Sequence, residues 1–77
     1  MKIKIYLPHF LHRDNVDEDG YLEMNPGSKL RDVYRKLRIP VLFCSIVFAY
    51  VNNEKASLDT PLEEGDIVSF VSFISGG

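Results

Sequence analysis

The residues with the clearest chemical potential are the last two of the sequence, Gly76 and Gly77. Because glycine has no Cβ, a carboxylate carried on this pair fits a narrow slot and adopts φ values that are closed to other residues. A terminal carboxyl group has a pKa of about 3.5, so at neutral pH it is an anion and a poor electrophile. Any acyl transfer at Gly77 therefore requires a partner that activates the carboxylate.

Other residues with reactive side chains lack the neighbours that their chemistry needs. His9 and His12 are three positions apart without a second pair of ligands, so we interpret them as loop residues and predict no metal site. Cys44 lies in an apolar run without a basic neighbour to lower its thiol pKa, which favours a place in the core. The Gly65-Asp66 pair is predicted to form a structural turn in which the aspartate accepts hydrogen bonds from backbone amides.

Length and composition predict one small folded domain. The chain has 77 residues, 45% of them hydrophobic, and a net charge of -2. A domain of this size buries only about 60% of its unfolded surface, which argues against a large enclosed substrate cavity. The single cysteine excludes an intrachain disulfide and is typical of a cytoplasmic protein. The net negative charge of the chain argues against nucleic-acid binding, although several basic residues lie on the predicted helix.

We predict neither a signal peptide nor a membrane span. The lysines near the amino terminus are followed by no long apolar segment, and the longest apolar stretch, residues 39–51, is shorter than the ~20 residues that a membrane helix needs.

Hydrophobic periodicity predicts the elements that position the carboxyl end. Strict alternation predicts strands over residues 2–7 and 21–24, and apolar runs predict strands near residues 47–51 and over residues 67–73. Between the second and third strands, an apolar stripe with helical spacing predicts a helix that Ser28 caps and Pro40 ends. The members of that stripe are Leu30, Val33, Tyr34 and Leu37. Asn52-Asn53 is predicted to form a tight turn.

This order of elements favours a β-grasp fold. It is an α+β arrangement, in which a mixed sheet of about four to five strands packs on one main helix and the first and last strands lie side by side in the middle. We expect residues 1–73 to form the single domain and residues 74–77 to form a flexible tail.

Three segments of the carboxyl-terminal half resemble a known family. Residues 51–54, 58–70 and 74–77 look like the corresponding parts of the MoaD/ThiS family of ubiquitin-like sulfur carriers. The Leu-x-x-Gly-Asp turn at residues 62–66 stands at the same distance from the terminal Gly-Gly as in that family. One departure concerns Ser72 and Phe73, which stand where molybdopterin-synthase small subunits commonly carry two prolines.

The resemblance implies a carrier that is not itself an enzyme. A ubiquitin-activating-type adenylyltransferase would use ATP and magnesium to adenylate Gly77, and a sulfur donor would convert the adenylate to a thiocarboxylate. The sulfur would then pass to a synthase, with the large subunit of molybdopterin synthase favoured and thiazole synthase next. We expect no bound cofactor. The alternatives are a ubiquitin-like modifier joined through Gly77 to lysines, and a β-grasp interaction module without such chemistry.

The tail and the last strand are the predicted contact regions for these partners. Residues Ile74, Ser75 and Gly76 would thread Gly77 into an active site, since four extended residues reach ~13 Å. Val68 and Phe70 should point into the core, and the opposite face of the strand should then carry a partner-docking set. That set is Ile67, Val71 and Phe73. Covering of these residues by loops of the same chain, or weak self-association, is the alternative.

Overall fold

The structure is a computed structural model that describes residues 1–7, 15–39 and 47–72, apart from the side chains of residues 47 and 72. Within these ranges the chain forms five strands and one helix. In chain order they are β1 (Lys2–Tyr6), β2 (Tyr21–Glu23), α1 (Leu30–Lys36), β3 (Val47–Val51), β4 (Glu54–Lys55) and β5 (Ile67–Ser72). The predicted order of strands and helix is confirmed, and the two-residue strand β4, which follows the Asn52-Asn53 turn, was not predicted.

The strands form one mixed sheet in the order β2-β1-β5-β3-β4. β1 and β5 are parallel, with Lys4 paired to Ile67, and the other neighbouring strands are antiparallel. The first and last strands are therefore central, as the β-grasp prediction requires. The division into a domain over residues 1–73 and a tail stays a prediction, because residues 73–77 lie outside the described residues.

The core lies between α1 and one face of the sheet. Alternation along the strands directs Ile3, Ile5 and Val68 to this face, and the rings of Tyr34 and Phe70 meet edge to face with centroids 5.3 Å apart. The buried apolar set comprises Ile3, Ile5, Leu22, Met24, Leu30, Val33, Tyr34, Leu37, Ile39, Ala49, Leu62, Val68 and Phe70. It includes the whole apolar stripe that was predicted for the helix.

The amino-terminal end of α1 differs from the prediction that Ser28 caps it. Lys29 is the N-cap residue, and its backbone N–H donates to Oδ2 of Asp32 at 2.9 Å. Ser28 is buried one position earlier, and its hydroxyl donates to the carbonyl of Asn25 at 2.7 Å. The prediction was wrong because Ser28 satisfies the preceding turn, whereas the aspartate in the first helical turn supplies the acceptor at the helix end.

The carboxyl-terminal end of α1 also comes earlier than predicted from Pro40, which lies outside the described residues. Helical residues end at Lys36, and Arg38 follows in the left-handed region with φ of 58°. The N–H of Ile39 donates to the carbonyl of Tyr34 at 2.9 Å, and that of Arg38 to Arg35 at 3.1 Å. These two bonds form a Schellman motif. Sequence reasoning missed it because the left-handed residue is normally glycine.

Candidate functional site

β5 is the element that leads to the carboxyl end of the chain. It lies between β1 and β3 in the sheet and ends at Ser72. The predicted tail residues, Ile74, Ser75, Gly76 and Gly77, together with Phe73, lie outside the described residues. The candidate site described below is therefore the surface of β5 and of its neighbouring strands, which precede the predicted tail.

Side chains alternate along β5 as predicted. Val68 and Phe70 are buried in the core, with 0% and 5% of their surface exposed. Ile67 and Val71 point away from the helix and are 41% and 49% exposed. The predicted orientation is confirmed for these four residues, and a docking role for Ile67 and Val71 stays a prediction.

The face of the sheet opposite α1 is here called the outer face. The strand registers extend it sideways from β5, placing Lys4 beside Ile67 and Phe48 beside Val71. Its strand residues are Lys2, Lys4, Tyr6, Tyr21, Glu23, Phe48, Tyr50, Lys55, Ile67, Ser69 and Val71. Tyr6 is 54% exposed, so the apolar and aromatic surface continues well beyond the residues of β5.

Two turns hold the beginning of β5 in place. The side chain of Asn52 donates to Oδ1 of Asp66 at 2.9 Å and accepts the backbone N–H of Ile67 at 3.0 Å. Oδ2 of Asp66 accepts the N–H of Glu63 at 2.8 Å, and Gly65 between them has φ of +83°. The structural interpretation of the Gly65-Asp66 turn is confirmed. The link to Asn52 was not predicted, because it depends on two turns 14 residues apart meeting in space.

Two lysines lie against aromatic rings on the outer face. The Nζ of Lys4 is 4.8 Å from the ring centroid of Tyr21 and 5.8 Å from that of Tyr6, and it donates to the carbonyl of Asp19. The Nζ of Lys55 is 4.7 Å from the ring centroid of Phe48. Both are cation–π arrangements. Sequence reasoning missed them because they depend on which residues the cross-strand register makes neighbours.

Two carboxylates near β2 are stabilised in their charged form. The side chain of Glu23 accepts a hydrogen bond from the amino-terminal ammonium at 2.8 Å, which lowers the pKa of Glu23. The pKa of Asp17 is lowered mainly by the backbone N–H of Tyr21, which donates to Oδ1 at 2.8 Å. These contacts hold β2 to the amino terminus of the chain and to the turn that precedes β2.

The described residues hold no group of three or more His, Cys, Asp or Glu side chains arranged for a metal ion. The two histidines and the cysteine discussed above lie outside those residues. Within the same part of the chain, no helix has the length and apolar character needed to cross a membrane.

Comparison with known proteins identifies the family. The profile of the ThiS family matches residues 13–77, which is most of the chain and includes the terminal Gly-Gly. The chain belongs to the ThiS family. Proteins of the ThiS family are small sulfur carriers rather than catalysts, and in general terms they interact with activating enzymes and synthases. The resemblance inferred from the sequence is confirmed.

Solved structures share the ubiquitin-like β-grasp fold of this ThiS-family chain. A putative molybdopterin converting factor, subunit 1, from Pyrococcus furiosus is 23% identical, with a TM-score of 0.67 and coverage of 95% of this chain and 98% of the other. The thiamine biosynthesis protein ThiS from Geobacter metallireducens is 18% identical, with a TM-score of 0.65 and complete coverage of both chains. SAMP1 from Haloferax volcanii is 16% identical, with a TM-score of 0.62, covering 99% and 97%. At these identities the likeness concerns the fold. Comparison with curated proteins found no match.

Proposed function

We propose that this chain carries sulfur as a thiocarboxylate on Gly77, formed after a partner enzyme adenylates that residue. The observation that carries the proposal is the match of the sulfur-carrier family to residues 13–77, a span that includes Gly76 and Gly77. In the sequence the predicted tail comes one residue after β5, a central strand held in the sheet by β1 on one side and β3 on the other. A rigid domain would thus present a short tail at a fixed place.

The proposed cycle activates a carboxylate that is otherwise unreactive. An oxygen of the Gly77 carboxylate attacks the α-phosphorus of ATP with magnesium, and pyrophosphate leaves. With sulfide as the donor, the sulfur attacks the carbonyl carbon, the bond from that carbon to the AMP oxygen breaks, and AMP leaves with the electron pair. The thioacid loses its proton to give the thiocarboxylate. A second enzyme then takes the sulfur, so every catalytic group belongs to a partner.

Docking of the carrier body would position the tail for these reactions. The proposed apolar contact comprises Ile67 and Val71 on the outer face, together with Phe73, which lies outside the described residues. The five residues that follow Ser72 span at most ~17 Å when extended, so the body must lie within that distance of the partner's active site. Glycine at positions 76 and 77 would allow the backbone to pass between the walls of a narrow slot.

The acceptor that we propose first is the large subunit of molybdopterin synthase, with thiazole synthase as the alternative. Relatives of both kinds share the fold at similar TM-scores, so the fold does not separate them. The direct assay offers the thiocarboxylated chain to each purified synthase with its own substrate. Transfer to one synthase alone identifies the pathway.

Mass spectrometry of the protein isolated from its native host tests the carrier chemistry. We expect a fraction of the chains in which one oxygen of the Gly77 carboxyl group is replaced by sulfur. Incubation with the host's activating enzyme, ATP and magnesium should also produce an acyl adenylate at Gly77. A carboxyl terminus that stays unmodified in the host, and forms no adenylate with any host activating enzyme, contradicts the proposal.

Protein modification is the second candidate, because the fold is ubiquitin-like and the same Gly77 adenylate would be its first intermediate. In that case the ε-amine of a target lysine replaces sulfide as the nucleophile and forms an isopeptide bond. After chymotryptic cleavage following Phe73, peptides in which a lysine carries residues 74–77 on its ε-amine would identify this activity. If the thiocarboxylate is found and no such peptides are found, the chain acts as a sulfur carrier and not as a protein modifier.

A further inference from the structure

We propose that Lys4 and Lys55 are recognition residues that pair with two carboxylates on the activating enzyme and orient the carrier on it. The inference rests on the proposed function, since it assigns the chemistry of the partner surface that meets the outer face. It concerns residues beyond the predicted docking set and depends on side-chain positions in the folded sheet.

The charge of the outer face is opposite to that of the whole chain. Three of its strand residues, Lys2, Lys4 and Lys55, are cationic, whereas the chain has a net charge of -2. The carboxylate among these outer-face residues is Glu23, which is already paired with the amino-terminal ammonium at 2.8 Å. A partner surface that meets this face therefore gains from carboxylates, and a basic surface is repelled.

Lys4 is held in place before any partner binds. Its Nζ lies over the rings of Tyr21 and Tyr6 and donates to the carbonyl of Asp19. An ammonium has three donors, so two remain for a partner. Because these contacts already restrict the side chain, ordering it on binding costs less entropy than ordering a free lysine.

Lys55 occupies the opposite side of the same face. It lies on the edge strand β4, opposite Tyr50, with its Nζ over the ring of Phe48. Three strand spacings and a two-residue step separate the backbones of Lys4 and Lys55, which corresponds to ~16 Å. The exposed side chains of Ile67 and Val71 project from β5, which lies between them. The partner site that fits has an apolar centre and an acidic group on each side.

Two separated charges fix the rotational orientation of the carrier on its partner, which an apolar patch alone does not. Apolar burial is non-directional, so Ile67 and Val71 would hold the carrier without fixing which way β5 points. With at most ~17 Å of chain beyond Ser72, a rotated carrier would direct its tail away from the active site. Pairing of Lys4 and Lys55 with two partner carboxylates would remove this freedom.

The test measures ATP–pyrophosphate exchange catalysed by the host adenylyltransferase, with the full chain as its co-substrate. The enzyme is obtained by fractionating host extract and following the exchange that depends on the carrier. Lys4→Glu and Lys55→Glu should each raise the KM for the carrier about tenfold at low salt, and the ratio should shrink as salt is added. The matched control is Lys29→Glu, which makes the same charge change at an exposed position on the helix side and should leave KM within about twofold. Lys4→Arg and Lys55→Arg keep the charge and should stay close to wild type.

Each outcome decides between the two proposals. If the wild-type chain supports exchange and the Glu variants match Lys29→Glu, the recognition role is wrong and the carrier function stands. If the wild-type chain supports no exchange with any host adenylyltransferase, both fail. Circular dichroism verifies folding, and Lys4→Gln replaces Lys4→Glu if the latter unfolds, with a smaller but still salt-dependent rise in KM expected. A rise that does not change with salt also refutes charge pairing.

Discussion

Replacement of Asn52 by alanine tests the link between the two turns that fix the start of β5. The variant removes the hydrogen bond to Oδ1 of Asp66 and the one from the N–H of Ile67. Both lie in exposed turns where water replaces the lost partner, so each contributes about 0.5–1 kcal/mol. Asn52 also has φ of 52°, and a left-handed conformation costs alanine about 1 kcal/mol more than asparagine. The expected loss is about 2–3 kcal/mol.

Asn53→Ala is the matched control for this prediction. Asn53 has φ of 72°, and its side chain makes no hydrogen bond to the residues that the structure describes. Its replacement should therefore cost only the conformational part, about 1 kcal/mol. The difference between the two variants isolates the two side-chain bonds of Asn52.

Thermal and urea unfolding of the wild-type chain and both variants measures these losses. For a domain of 60–100 residues each kcal/mol lowers Tm by about 4–8 °C, so we expect a decrease of about 8–24 °C for Asn52→Ala and about 4–8 °C for Asn53→Ala. The urea m-value should stay unchanged if the denatured state is unaffected. Equal losses for the two variants, within about 0.3 kcal/mol, would refute the argument that Asn52 joins the turns.

Three further predictions concern the core, the acid range and the tail. Val68→Ala should destabilise the fold by about 2–3 kcal/mol because Val68 is fully buried. Val71→Ala, on the opposite face of β5, should change stability by less than about 0.5 kcal/mol and raise the KM for the carrier in the exchange assay. Equal stability losses for the two variants would contradict the faces assigned to these residues. In the folded state the pKa of Asp17 lies below its usual 3.8 and that of Glu23 below its usual 4.5. The stability that these two contacts contribute is therefore complete above the usual values and is lost as pH falls from there through the lower pKa values of the folded state. Urea unfolding between pH 6 and about 3 should show this decline, and Glu23→Gln should reduce it. Gly76→Ala should leave Tm unchanged and greatly reduce adenylation, and exchange at the wild-type rate would disprove the threading role.

The sequence alone determined the elements and their order, because local periodicity encodes which face of each element is buried. The alternation of β1 and β5 and the apolar stripe of α1 depend only on the spacing of neighbouring residues, so the sequence predicts each of them without any tertiary contact. Membership of the sulfur-carrier family was likewise inferred from short segments near the carboxyl end. The terminal Gly-Gly was identified as the candidate site from its chemistry.

Only the tertiary structure decided which distant residues meet. The N-cap of α1 is Lys29 rather than the predicted Ser28, because the Ser28 hydroxyl donates to Asn25 in the preceding turn and Asp32 accepts the backbone N–H of Lys29. The bonds of Asn52 to the start of β5 and the position of Lys4 over Tyr21 depend on how strands that are distant in the sequence pair, which the residues around each position do not reveal. For the same reason, the sequence predicted an apolar docking strand, and the fold was needed to place a lysine on each side of it.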